Sequence, residues 1–151
     1  MKKKVLILED NLYTAEDIET EISFKFSDNN DVEILIANSL DEANDMLSNI
    51  DKKEIVCIIA DLNMDPSGLS HEEKIMTFGA VLTGWVWVSS KIMNDTELKD
   101  KNIIFYSAFI NRLVENSTYK ELTREKKRKI KLINKNEHGL DELCDALIKI
   151  I

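Results

Sequence analysis

Five short apolar segments recur along the chain, at residues 4–8, 32–37, 55–60, 102–107 and 129–134. They are rich in isoleucine and valine, and their apolar positions are nearly continuous instead of alternating with polar ones. Strands that are covered on both faces of a sheet have this pattern. The sequence therefore predicts five buried β-strands.

Apolar residues between these segments recur with the 3.6-residue period of a helix. One helix is predicted to begin at Ser39, where Glu42 completes a capping box. The final helix carries an apolar stripe from Leu140 to Ile151. The first predicted helix has its stripe at Leu12, Ala15, Ile18 and Ile22.

Strands that alternate with helices predict a doubly wound α/β fold, because each parallel strand pair needs a crossover connection. The spacing of the segments leaves the strand order open, and we adopt the flavodoxin-like order 2-1-3-4-5. The chain has 151 residues. We expect residues 1–151 to form a single domain without an output domain.

The segment between the third and fourth strands is extended and less regular. Residues 64–68 predict a turn around Pro66, the only proline in the chain. Ser70 and Glu73 form a second capping box, which predicts that a helix begins near His71.

Two glycines interrupt the helical pattern that follows. Gly79 and Gly84 would each weaken a helix by roughly 1 kcal/mol, so we expect two helical pieces instead of one rod. A sixth strand at residues 85–88 is the less economical alternative. Trp87 lies off the core stripe, which predicts an exposed side chain. The two stripes comprise Ile75, Phe78, Leu82 and Trp85, and Val81, Trp85, Val88 and Ile92.

Polar side chains follow four of the predicted strands: Glu9 and Asp10, Asp61, Ser107 and Lys135. In an open parallel sheet, ligands bind beyond the carboxyl ends of the strands, so these residues are expected to meet there. Three carboxylates, a hydroxyl and an amine at one edge indicate a site for a divalent cation and a phosphoryl group.

Each of these residue types suits a part of that chemistry. Mg²⁺ prefers oxygen ligands, which Asp10 and Asp61 can supply directly and Glu9 directly or through water. Asp61 is the candidate nucleophile, because a carboxylate can attack phosphorus and form an acyl phosphate. Lys135 can pair with phosphate oxygens, and Ser107 can donate a hydrogen bond to one of them.

These residues and their surroundings resemble the receiver domain of response regulators in two-component signalling. The matching segments are residues 4–11, 58–64, 104–108 and 132–135. The resemblance implies phosphotransfer to Asp61 from a histidine kinase, a phosphotransfer protein or a small phosphodonor. It implies no enzymatic activity beyond self-phosphorylation and autodephosphorylation. It also implies that the backbone carbonyl of Asn63 joins Glu9, Asp10 and Asp61 around Mg²⁺.

The resemblance further implies that Ser107 follows the phosphate and repacks the face made by the fourth helix, fifth strand and fifth helix. Three features depart from the family. Asn136 replaces the usual proline after Lys135, and Leu132 replaces the usual aromatic switch residue. The inserted region at residues 65–80 is the third, and we expect it to cover the pocket or to bind a partner.

Two other functions fit part of the pattern. A haloacid-dehalogenase-like phosphatase also uses an aspartate nucleophile, a hydroxyl and a lysine. However, Asp61 and Asn63 match its Asp-x-Asp signature only in part, and here the acidic pair precedes the nucleophile. The other alternative is an interaction module that keeps the fold but acts independently of phosphorylation.

Charge and cysteine content narrow the setting of the protein. The net charge of −8, from 28 acidic and 20 basic residues, disfavours general nucleic-acid binding. The basic residues at 120–131 are expected to form a solvated helical face or, alternatively, a partner-binding patch. Cys57 and Cys144 fall on core positions, and the apolar run Val5–Leu8 is too short for export or for crossing a membrane. We expect a cytoplasmic protein.

Overall fold

The computed structural model describes residues 2–124 and 129–151. Its described residues form one five-stranded sheet in which all neighbouring strands are parallel, in the order β2-β1-β3-β4-β5. The predicted fold class and strand order are therefore confirmed. The strands are β1 (Lys3–Leu8), β2 (Val32–Ala37), β3 (Ile55–Ala60), β4 (Asn102–Ser107) and β5 (Ile130–Asn134).

Seven α-helices connect or flank the strands within the described ranges. A 3₁₀ turn (Lys52–Glu54) precedes β3, and a π-helical turn (Val88–Ile92) continues the fourth helix. The helices are α1 (Leu12–Lys25), α2 (Leu40–Asn49), α3 (His71–Ile75), α4 (Thr83–Trp87), α5 (Ile110–Val114), α6 (Ser117–Leu122) and α7 (Gly139–Ile150).

The two predicted capping boxes differ in the structure. At Ser70 both hydrogen bonds form, because Ser70 accepts from the Glu73 amide and the Glu73 carboxylate accepts from the Ser70 amide. At Ser39 only the first half forms: Ser39 Oγ accepts from the Glu42 amide at 3.1 Å. The Glu42 carboxylate accepts from the amide of Asn38 instead, so the box is shifted by one residue.

Apolar layers cover both faces of the sheet, as the continuous apolar strands predict. On one face, α2, α4, the π-helical turn and α5 contribute helical residues to the core, and α1 and α7 cover the other face. Cys57 and Cys144 are buried free thiols, which confirms their predicted core positions. Burial raises the pKa of the Cys57 thiol to about 12, so this thiol stays protonated and serves as a packing group.

The extended segment does form two helical pieces, α3 and α4, as predicted. Between them Phe78, Gly79 and Ala80 all have positive φ angles, of 52°, 70° and 75°. This left-handed turn redirects the chain, so the predicted stripe is not continuous. Ile75 and Phe78 are 70% and 61% exposed, whereas Trp85 is buried.

The predicted exposure of Trp87 is wrong. Trp87 is completely buried, and its indole N–H donates to Asn44 Oδ1 of α2 at 2.9 Å. All five residues of α4 are buried. A one-stripe pattern therefore does not apply to α4, which is enclosed on every side.

Some sequence expectations fall outside what the structure describes. The basic segment at 120–131 includes residues 125–128, which lie outside the described ranges, and α6 ends before them at Leu122. The single-domain organisation of residues 1–151 stays a prediction. Within the described ranges, no helix combines the length and apolar character that crossing a membrane requires.

Candidate acidic site at the carboxyl edge of the sheet

Backbone hydrogen bonds extend the sheet by one residue at three strand ends. The Glu9 amide donates to Ala37 O at 3.0 Å, and the Asp61 amide donates to Leu8 O at 3.0 Å. The Lys135 amide donates to Ser107 O at 3.1 Å. The polar residues that follow the strands are therefore anchored by the sheet itself.

Lys135 joins the two buried carboxylates of this edge. Its Nζ donates to Asp61 Oδ2 at 2.8 Å and also to Glu9 Oε1. The peptide bond between Lys135 and Asn136 is trans. With Asn136 after it, Lys135 keeps its ammonium in contact with the candidate phosphoacceptor Asp61.

The three carboxylates form a cluster of the kind that can bind a metal ion. One oxygen from each of Glu9, Asp10 and Asp61 lies within 4.8 Å of the others. Glu9 and Asp61 are 1% and 8% exposed, while Asp10 faces solvent. An all-oxygen, anionic donor set with one open side suits a hard cation that keeps several waters, such as Mg²⁺.

The electrostatics of the cluster show the repulsion that a cation would relieve. Burial and the neighbouring charge of Asp61 raise the pKa of Glu9 to about 7, although Lys135 opposes this shift. Burial acts to lower the pKa of Lys135, but the charge of Asp61 and hydrogen bonds to both carboxylates raise it overall. Lys135 is therefore charged at neutral pH, whereas Glu9 titrates near neutrality.

Both oxygens of Asp61 are held in place. Oδ1 accepts a hydrogen bond from the Leu62 amide at 2.6 Å, and Oδ2 accepts from Lys135. A carboxylate that is held at two points has few orientations, so it would lose little freedom in a reaction.

Gly84 is a residue of this site that the sequence interpretation missed. Its amide donates to Leu62 O at 2.9 Å, and a Cβ at this position would stand only 1.8 Å from Asp61 O. From the sequence, Gly84 was interpreted as a residue that weakens a helix. In the structure, its missing side chain lets the backbone of α4 approach the backbone of Asp61. The sequence offers no separate signal for this role, because the approach depends on how α4 packs against the end of β3.

Asn38 is a second missed residue, and it lies directly after β2. Its Nδ2 donates to Glu9 O at 3.0 Å, which ties the β2–α2 connection to the acidic pair. A polar residue after a strand was the signal, and it matches the pattern that identified Asp61.

Ser107 and Asn63 lie at the same edge of the sheet, and within the described ranges neither side chain is hydrogen-bonded to the acidic cluster. Ser107 is completely buried, and its Oγ accepts a hydrogen bond from the Phe109 amide at 3.1 Å. Among the described residues, no hydrogen bond joins the Ser107 hydroxyl to the Asp61 carboxylate or to the Lys135 ammonium. Asn63 follows Leu62 with an exposed side chain. The roles inferred for Ser107 and Asn63 stay predictions.

No model of a known protein family matches the chain, and no curated protein matches it. Solved structures do match in shape. The signal receiver domain of a DNA-binding response regulator from Colwellia psychrerythraea gives a TM-score of 0.62 at 17% identity, over 98% of this chain and 99% of that one. A two-component response regulator from Legionella pneumophila gives 0.54 at 18% identity, over 99% and 100%.

A lysine decarboxylase from Francisella novicida gives a TM-score of 0.50 at 18% identity, over 99% of this chain but 17% of the enzyme. The match to the response regulators spans both chains nearly completely, whereas the match to the enzyme covers a small part of it. At these identities the likeness shows the fold alone: the chain has the receiver-domain fold.

Proposed function

We propose that this protein is a receiver domain that accepts a phosphoryl group on Asp61 in the presence of Mg²⁺ and thereby changes its binding to another protein. The contact of Lys135 with Asp61, beside two further carboxylates, is the observation that carries the proposal. At one edge of the sheet, Asp61 can act as the nucleophile and the Lys135 ammonium can pair with phosphate oxygens. Glu9, Asp10 and Asp61 can act as metal ligands.

In the proposed reaction, an Asp61 carboxylate oxygen attacks the phosphorus of the donor. The new bond is an acyl phosphate, and the P–N bond to a donor histidine breaks as the imidazole leaves. Lys135, already beside the carboxylate, pairs with the added phosphate oxygens. Hydrolysis by water later restores the carboxylate and ends the signal.

Mg²⁺, when bound, would neutralise charge on the phosphoryl group and on the carboxylates. Glu9, Asp10 and Asp61 would hold it, together with the backbone carbonyl of Asn63. The raised pKa of Glu9 supports this assignment, because it shows that the ionised form is unfavourable beside Asp61 in the buried site. A cation bound at the cluster would stabilise that ionised form.

The donor would be a histidine kinase or a phosphotransfer protein in the cytoplasm, or a small phosphodonor. The added phosphate charge would bias the packing around Ser107 between two states, which a downstream protein then distinguishes. The net charge of −8 argues against nucleic acid as that downstream partner.

The second candidate function is an interaction module that works without phosphorylation. Leu132 and Asn136 favour it, since position 132 has no aromatic ring whose rotation could report phosphorylation, and the loop after Lys135 lacks the usual proline. A phosphatase is the third candidate, and it requires repeated turnover of a phosphate ester at Asp61.

The deciding experiment treats the purified protein with Mg²⁺ and a small phosphodonor such as acetyl phosphate, and measures intact mass. We expect the gain of one phosphoryl group that hydroxylamine removes and that excess EDTA prevents. Asp61→Asn should abolish the gain. Asp65→Asn, an exposed aspartate of the next loop, is the matched control and should leave it unchanged.

Each alternative has its own outcome. Steady release of phosphate from esters over many cycles would identify a phosphatase. Equal partner binding by the wild type and by Asp61→Asn would identify an interaction module. Absence of any mass gain from both a phosphodonor and a phosphorylated kinase would overturn the proposal.

A further inference from the structure

The side chain of Lys135 has to cross a neighbouring strand to reach its partners. Lys135 follows β5 and Asp61 follows β3, and β4 lies between them in the sheet. Two inter-strand spacings amount to roughly 9.6 Å. The lysine is therefore stretched over the end of β4, where its methylene chain and ammonium need a surface to lie on.

Tyr106 of β4 supplies that surface. Tyr106 is in register with Ile133, and both belong to the apolar cluster on the α1 and α7 side of the sheet. Lys135 comes two residues after Ile133, and side chains two apart share a face of a strand. The Lys135 ammonium lies 5.6 Å from the centroid of the Tyr106 ring.

The ring is itself held in place. Tyr106 is 7% exposed and packs in the core of that face. The start of α7 approaches it through Gly139, where a Cβ would stand 3.1 Å from Tyr106 Cε1 and 2.3 Å from Asn134 O. The Tyr106 ring is thus a fixed platform for a flexible side chain.

We propose that Tyr106 is a positioning residue that holds the Lys135 ammonium above β4, so that it stays directed at Asp61 and at the phosphoryl group that Asp61 accepts. The ring attracts the cation through its negative face and limits the rotamers of the long side chain. In this chain the Tyr106 ring would restrict the lysine side chain, and it would do so without a proline in the loop after Lys135. The effect on phosphotransfer rests on the proposed function; the contact itself does not.

The competing explanation is that Tyr106 only fills the core. The two explanations differ for conservative variants. Tyr106→Phe keeps the aromatic ring, whereas Tyr106→Leu keeps apolar packing but removes the aromatic ring. Tyr119→Leu is the matched control, because Tyr119 packs against Trp85, on the other face of the sheet from Lys135.

The first test is NMR of the lysine side chains in the full-length protein. The Lys135 methylene protons should be shifted upfield by the ring current in the wild type, relative to those of Lys131, whose side chain is exposed. The shift should persist in Tyr106→Phe and in Tyr119→Leu, and disappear in Tyr106→Leu. Unshifted Lys135 methylenes in the wild type overturn the proposal, even if Tyr106→Leu fails to fold.

The second test compares phosphorylation rates with acetyl phosphate and saturating Mg²⁺. A contact of this kind corresponds to about a threefold to tenfold lower rate constant for Tyr106→Leu. Tyr106→Phe and Tyr119→Leu should react at the wild-type rate. A Tyr106→Leu protein that folds and reacts as fast as the wild type overturns the positioning role. If the wild type takes up no phosphoryl group, the proposed function fails, and the NMR comparison alone decides the contact.

Discussion

Gly84 lies against the carbonyl of Asp61 so closely that no other residue fits between helix α4 and the end of β3. A Cβ at Gly84 would stand 1.8 Å from Asp61 O, and 2.9 Å from the Asp61 carbonyl carbon. Both obstacles are backbone atoms, which cannot rotate away. The segment between β3 and β4 therefore contacts the candidate site through backbone atoms, those of Gly84 against those of Asp61.

We expect Gly84→Ala to lower the free energy of unfolding by about 3 kcal/mol or more, because the added methyl group forces the backbone apart. The matched control is Gly79→Ala. Gly79 has open space around it but a φ of 70°, so the control should cost only about 1–2 kcal/mol of conformational strain. Urea titrations of both variants check this, and equal losses would contradict the clash.

The pKa of Glu9 predicts a pH-dependent stability in Mg²⁺-free buffer. Below its ordinary value of 4.5 the carboxyl is protonated in both the folded and the unfolded protein. Between pH 4.5 and about 7 the unfolded state ionises first, so the stability from this group is lost as the pH rises.

Glu9→Gln should remove that loss. We expect the difference in melting temperature between Glu9→Gln and the wild type to grow from pH 5 to pH 8 in favour of the variant. Glu16→Gln, an exposed carboxylate on α1, measures the effect of losing a charge away from the site. A constant difference between pH 5 and pH 8 would show that Glu9 is not the titrating group. Adding Mg²⁺ at pH 8 should stabilise the wild type more than Glu9→Gln.

Lys135→Met removes the cation that pairs with two buried carboxylates. Without Mg²⁺ at pH 8, we expect a loss of roughly 3 kcal/mol in the free energy of unfolding, because Glu9 and Asp61 are left facing each other. Removal of this positive charge should also tighten Mg²⁺ binding. Lys131→Met, on the exposed part of β5, is the control and should change neither quantity. Calorimetric titration with Mg²⁺ and thermal unfolding together check both expectations.

Phe78 holds a left-handed backbone with an exposed aromatic side chain. Asparagine tolerates that conformation better, so Phe78→Asn should raise the free energy of unfolding by about 0.5–1 kcal/mol. Ile75→Asn, at a similarly exposed position at the end of α3, is the control and should bring no gain. A clear loss of stability in Phe78→Asn would mean that the ring packs more firmly than its exposure indicates.

The sheet and the acidic edge were predictable because their signals are local. A continuous apolar run followed by a polar residue identifies both a buried strand and its carboxyl end, so Glu9, Asp61 and Lys135 were found together. The order of strands came from a known fold, since the spacing of the runs leaves it open. The metal and phosphoryl assignments remain proposals that depend on residue chemistry.

What the sequence missed depends on tertiary packing. Trp87 lies off a helical stripe, but α4 is enclosed on every side, so a period of 3.6 carries no information there. From the sequence, Gly84 looks like a helix breaker; its role becomes clear only from its contact with the Asp61 carbonyl in the structure. Tyr106 looks like one more apolar strand residue, and its relation to Lys135 appears only when three strands are placed side by side.

The hydrogen bond from the Gly84 amide to Leu62 O has a consequence for how this chain tolerates change in length. The chain between Leu62 and Gly84 therefore forms a loop whose two ends are held together by this hydrogen bond. The entropy of closing such a loop changes slowly with its length. A change in length within residues 65–82 therefore costs little loop entropy while the two ends stay fixed beside Asp61, and the buried residues Leu69 and Leu82 confine such a change to the exposed positions between them.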